Sequence, residues 1–82
     1  MPIDTKLRRF ILENFLFTDD EGALANSDSF LERGILDSTG IMEVILFLEE
    51  EFDVTVADEE MIPENLDSID HLRAFVQGKQ AA

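Results

Sequence analysis

The chain has no cysteine, no tryptophan and no tyrosine, only two prolines and four glycines, and six basic residues against nineteen acidic ones. Without cysteine there is neither a disulfide frame nor a thiolate metal site, and nothing in the sequence argues against a reducing compartment. No window approaches the roughly 20 consecutive apolar residues of a membrane-spanning helix. The segment Met1 to Arg9 carries charges where a signal peptide needs an apolar stretch. A cytoplasmic, unexported protein is therefore the expectation. Lys and Arg are missing altogether between Arg33 and Arg73, and the net charge is −13. That field would repel nucleic-acid phosphates and attract proteins presenting Lys or Arg patches.

What is present is enough apolar material to fold. Hydrophobic residues make up 45% of the chain, with seven Phe, too apolar for an acidic disordered tail. At 82 residues the chain has room for one domain and a modest core, with little interior to spare for a buried active site. Functional residues are therefore expected on the surface.

Ile3, Leu7, Phe10 and Ile11 recur at helical spacing. They predict a first helix over 3–17, with i,i+4 ion pairs Asp4–Arg8 and Arg9–Glu13 on its outer face. The stretch 18–37 has loop chemistry, including Asp19, Asp20, Gly22, Asn26, Ser27 and Gly34. So long a connection is either functional or pinned by its own apolar residues, for which Phe30, Leu31, Ile35 and Leu36 are the candidates. A second helix is expected over 38–52, its core stripe formed by Ile41, Val44, Ile45, Leu48 and Phe52. Met42 and Leu46 fall outside that stripe, apolar without a core role. A single helical turn is expected at Asp58 to Met61, stopped by Pro63. A last helix should open with Asp67 or Ser68 as N-cap, bury Ile69, Leu72, Phe75 and Val76, and end at Gly78, leaving 79–82 as a mobile tail. The expected fold class is all-α: a small four-helix bundle of three main helices and a short third one, as a single domain over 1–82 with its core in about 3–77.

Catalytic signatures are sparse. There is no glycine-rich phosphate loop, no histidine pair and no GxSxG around any serine. The single histidine, His71, could complete a triad with Asp37 and Ser38 only by long-range folding, and it reads more simply as a polar helix residue. Asp19, Asp20 and Glu21 lack the alternating ligand spacing of a calcium loop, so no metal site is expected. A non-enzymatic role follows. What stands out is Asp37-Ser38, where the long loop meets the second helix. Both residue types are good N-caps, which is the bland explanation. The other is that Ser38 is presented: behind it come the surplus apolar residues Met42 and Leu46, flanked by Glu43 and Glu50. A phosphodiester on Ser38 would meet the positive end of the helix dipole, worth roughly 0.3–1 kcal/mol at an exposed site.

The run Gly34-Ile35-Leu36-Asp37-Ser38-Thr39-Gly40, then Ile41 to Phe52 ending Leu48-Glu49-Glu50-Glu51-Phe52, and later Pro63 to Ile69, resembles the carrier protein family. That family comprises acyl carrier proteins and the peptidyl or aminoacyl carriers of nonribosomal synthesis, and the resemblance covers roughly residues 3–77. It implies a stand-alone, monomeric carrier in which Asp37 opens the second helix and Ser38 receives phosphopantetheine from coenzyme A through a phosphopantetheinyl transferase. An acyl- or aminoacyl-loading ligase or adenylation enzyme, and downstream biosynthetic enzymes with basic surfaces, would then dock on Thr39, Met42, Glu43, Leu46, Glu49, Glu50, Glu59 and Glu60. The family places Leu after the Asp-Ser pair where this chain has Thr39, and a small residue before it where this chain has Leu36. Both departures point to a specialised pathway of polyketide or nonribosomal type. The rival from another class is an acidic helical inhibitor, in the manner of small immunity proteins, that blocks a basic partner.

Overall fold

The computed structural model describes residues 3–81. Among them the structure is all-helical, without strands. Helix α1 spans Ile3–Ile11, α2 Ser38–Phe52, α3 Pro63–Leu66 and α4 Ile69–Ala81. Short 3-10 turns lie at Glu21–Ala23 and Asp58–Glu60. The α4 helix packs against both α1 and α3. Their apolar stripes meet in a core of Leu7, Ile11, Leu12, Val44, Ile45, Leu48, Leu66, Ile69, Leu72 and Val76, all nearly inaccessible to solvent.

The first helix changes pitch before it ends. From Leu12 to Leu16 the turn widens to π geometry, and Phe17 closes it with a left-handed backbone at φ 53°. The Leu12 carbonyl accepts from the N–H groups of both Phe17 and Thr18. The expectation of uniform helix over 3–17 is corrected accordingly. In this arrangement Phe15 meets Phe10 edge-on and lies against Gly40 at the start of α2.

The expected pairs Asp4–Arg8 and Arg9–Glu13 do not form among the described residues. Instead Arg8 donates to the Leu24 carbonyl and, at 3.4 Å, to that of Glu21. An exposed i,i+4 pair is worth only about 0.3–0.5 kcal/mol, too little to hold the guanidinium against the two loop carbonyls. Lys6 reaches Glu51 on α2 at 2.8 Å.

The long connection is pinned, though not quite by the residues expected. Phe30 and Leu36 are buried as the pattern suggested, but Leu31 is 50% exposed and the unanticipated Leu24 takes an anchoring place at 1%. Backbone bonds tie the loop to the region between α3 and α4: Phe30 N–H donates to the Asp67 carbonyl at 2.8 Å and Asp70 N–H to the Asn26 carbonyl at 3.0 Å. The Asp67 carboxylate completes the tie, accepting from the Ser29 hydroxyl at 2.5 Å and from Leu31 N–H at 3.0 Å.

Two expectations near the C-terminal half are also corrected. Pro63 does not stop a helix but starts one, as the first residue of α3, where its missing N–H costs nothing. The acidic turn before it is a 3-10 turn ending at Glu60. Gly78 does not end α4, which continues to Ala81. The continuation has a cause: Lys79 donates to Glu60 at 2.5 Å and lies 5.6 Å from the Phe75 ring centroid, holding the last turn against the 3-10 turn. Ala82 lies outside the described residues. At the other end of α4, Ser68 is the cap, its hydroxyl accepting from His71 N–H at 3.1 Å.

Candidate functional site

The loop delivers its last buried residue, Leu36, and the next residue turns outward. Asp37 has extended backbone geometry (φ −112°, ψ −170°) and is the N-cap of α2. Its Oδ1 accepts from Gly40 N–H at 2.8 Å, and its carbonyl accepts from Ile41 N–H at 2.9 Å. The two candidate caps are thus resolved in favour of Asp37. Ser38 is the first residue inside the helix, exposed, and its hydroxyl has no hydrogen-bond partner among the described residues. A serine that neither caps nor bonds has no local structural task. The N–H groups of the first turn and the helix dipole favour an anion there.

Gly40 explains how this turn sits so close to the body of the protein. It is buried, and a Cβ there would stand 3.1 Å from both Leu36 Cδ2 and Phe15 Cε1. Glycine at this position lets the loop and the end of the first helix close against the start of α2.

Beside Ser38 runs an apolar groove of about 270 Å³ between α2 and α3, walled by Ile41, Met61, Ile62, Pro63 and Leu66, with Leu31 from the loop and Asp37, Ser38 and Asp67 at its polar edge. Leu31 and Ile62 stand 50% and 42% exposed at its mouth. Sequence reasoning missed this groove. Ile62 could have been noticed as an apolar residue held extended by the following Pro63 (φ −123°, ψ 155°), but Leu31 carries no such signal.

On α2, Thr39, Met42, Glu43, Leu46 and Glu50 are all exposed, Met42 at 51% and Leu46 at 55%, as their place outside the core stripe implied. Glu59 is exposed on the 3-10 turn. Glu49 and Glu60 are placed differently. The Glu49 carboxylate accepts from Val56 N–H at 3.0 Å and so fastens the connector after α2. Glu60 accepts from Lys79 and, at 2.9 Å, from Ala57 N–H; these two donors hold its carboxyl below the ordinary value. Asp28, likewise lowered, accepts from Ala25 N–H and pairs with Arg33 at 2.7 Å. Since Lys6, Arg33 and Lys79 are engaged by Glu51, Asp28 and Glu60, the exposed carboxylates of Glu43, Glu50 and Glu59 keep their field.

His71 is bonded through Nδ1 to the Ser68 hydroxyl at 2.9 Å, an arrangement internal to the start of α4. Among the described residues no three His, Cys, Asp or Glu side chains converge as a metal site would need, and no helix is long and apolar enough to cross a membrane. A search of the sequence against models of known protein families returned no match.

Proposed function

We propose that this protein is a stand-alone acyl or aminoacyl carrier, built as a four-helix arrangement with a long first connection, in which Ser38 bears a phosphopantetheine arm. The observation that supports this most is the division of labour at the start of α2: Asp37 makes the capping hydrogen bond, and Ser38 is left exposed with a free hydroxyl. When attached, the arm supplies the terminal thiol that holds cargo as a thioester, a nucleophile this chain lacks because it has no cysteine. The chain's own residues fit such a group. Ser38 offers the attachment oxygen at a helix N-terminus, where the phosphate charge is favoured. The groove walled by Ile41, Ile62 and Leu66 gives apolar parts of the arm or cargo a surface to lie on.

In this reading the chain is a cytoplasmic monomer. A phosphopantetheinyl transferase, a loading ligase or adenylation enzyme and downstream enzymes of a specialised pathway approach α2, meeting Thr39, Met42 and Leu46 with apolar contacts and Glu43, Glu50 and Glu59 with basic ones. Contacts of this kind are fast, salt-sensitive and brief. Glu49 and Glu60 contribute charge from fixed positions rather than as free side chains.

The test is intact mass after incubation with coenzyme A and a broad-specificity phosphopantetheinyl transferase. The wild type should gain one phosphopantetheine and Ser38→Ala none. The acidic exposed face of α2 also supports the rival inhibitor reading. That reading replaces the carrier if several transferases leave the mass unchanged and Glu-to-Lys changes at Glu43 and Glu50, but not Ser38→Ala, abolish binding to a basic partner.

A further inference from the structure

The groove beside Ser38 has apolar walls and charge of one sign at its edge. Ile41, Ile62 and Leu66 supply the walls, Asp37 and Asp67 line it together with Ser38, and no Lys, Arg or His does. Its volume of about 270 Å³ is below the roughly 300–1,000 Å³ of a drug-sized site, which suits a short branched group better than a long chain. Because Ser38 borders it, a group tethered there meets it at high effective concentration.

Neither carboxylate is neutralised from within the protein. Asp37 accepts from Gly40 N–H, and Asp67 from the Ser29 hydroxyl and Leu31 N–H, all uncharged donors. Such bonds share the charge of a carboxylate without cancelling it, and they leave lone pairs on both groups. Among the described residues neither forms an ion pair, whereas Asp28, Glu51, Glu60 and Asp70 pair with Arg33, Lys6, Lys79 and Arg73. The arginines nearest in sequence to Asp37 and Asp67 are thus engaged elsewhere. Asp37 is exposed and Asp67 half-buried, so a ligand can reach both.

We propose that the groove selects cargo with a charged amine beside a short apolar side chain, an aminoacyl rather than a simple acyl group, and that Asp37 and Asp67 set this preference. The inference rests on attachment of the arm at Ser38. A neutral acyl group gains only the apolar walls, and a carboxylated one is repelled by both carboxylates and by the phosphate of the arm. An ammonium gains from the walls and the charge together. Ion pairs open to solvent are weak, so the preference is roughly fivefold rather than orders of magnitude.

The experiment compares two cargoes that differ only in the α-amine, leucyl and isocaproyl. Each is joined to the arm through a stable amide and transferred to the full chain from the matching coenzyme A analogue, with loading read by intact mass. At about pH 6, where the amine is protonated, nuclear Overhauser contacts from the cargo methyls to Ile41, Ile62 and Leu66 should be roughly fivefold stronger for leucyl. Added salt should shrink the difference. Asp67→Asn, which keeps an acceptor for Leu31 N–H, should cut it to about twofold or less. Glu13→Gln, which removes one charge from the α1 surface away from the groove, should leave it unchanged. Equal contacts for the two cargoes, contacts from neither, or an effect of Asp67→Asn no larger than that of Glu13→Gln would overturn the proposal while leaving the arm in place. Failure of coenzyme A and both analogues alike to add mass would remove the carrier reading, and this inference with it.

Discussion

Asp67 is where the long loop is fastened to the rest of the protein, and Asp67→Ala tests how much of the fold around Ser38 depends on it. The carboxylate accepts from the Ser29 hydroxyl at 2.5 Å and from Leu31 N–H at 3.0 Å, while the main chain of the same residue accepts from Phe30 N–H. The substitution removes the first two bonds and leaves the third. Hydrogen bonds to a charged group are worth about 1.5–3 kcal/mol each. The lower end applies here, because Asp67 is half-buried and Leu31 is half exposed, so water can replace part of what is lost. The expected cost of losing the two bonds is therefore about 3 kcal/mol. With a urea m-value of about 1 kcal/mol/M for a chain this small, the denaturation midpoint should fall by about 3 M. Asp67→Asn keeps an acceptor for Leu31 N–H and offers an amide to a serine hydroxyl that can reverse its role, so it should cost about 1 kcal/mol or less. Ser29→Ala should cost about 1 kcal/mol and couple to Asp67→Ala in a double-mutant cycle. Hydrogen exchange gives the local readout: the Leu31 amide should lose protection in Asp67→Ala while that of Leu72 in α4 changes only with global stability. A midpoint within about 0.5 M of wild type would refute the assignment of Asp67 as the anchor.

Two further outcomes are expected. Glu60 has a folded-state pKa below its ordinary value of 4.5, through the Lys79 hydrogen bond first and Ala57 N–H second. Its contribution is thus fully present above about pH 4.5 and lost as pH falls through the lower folded value. Urea midpoints of wild type and Glu60→Gln should differ at neutral pH and converge in acid, and a constant difference would contradict the linkage. The helical glycines should respond in opposite directions to alanine. Gly78 has nothing within 4 Å of a new Cβ, so Gly78→Ala should stabilise by about 0.5–1 kcal/mol. At Gly40 the methyl would crowd Leu36 and Phe15 at 3.1 Å, and an overpacking cost of about 1–3 kcal/mol should outweigh the propensity gain. Thermal melts of the two variants check both signs.

The extent to which sequence anticipated the structure follows the range of the forces involved. Periodicity located α2 to the residue and set Met42 and Leu46 outside its core stripe, because a helix face is a local property. That α2 is capped at Asp37 or Ser38 was legible for the same reason, since a cap and its helix are neighbours in sequence; which of the two caps was not. Arg8 was misassigned because a carbonyl of Leu24, brought near only by folding, outcompeted the local partner Asp4. The stop at Gly78 failed because Lys79 finds Glu60 across space, and one glycine costs only about 1 kcal/mol in an exposed helix. Pro63 follows an acidic helical turn and so reads locally as its stop, yet proline is equally at home as the first residue of a helix, the place it takes in α3. The groove beside Ser38 was invisible, since its walls come from the loop, α2 and α3 together.

The loop's fastenings also fix an order of assembly. Ser29 and Asp67 are 38 positions apart, and Asn26 waits for the amide of Asp70. On a ribosome the loop and the serine turn emerge well before the residues that hold them, so α2 can coil early while the segment leading into Ser38 stays unfixed until α4 begins to form. An enzyme that recognises the folded loop as well as the serine would therefore act on the finished chain, and nascent chains truncated before Asp67 would be poor substrates for it.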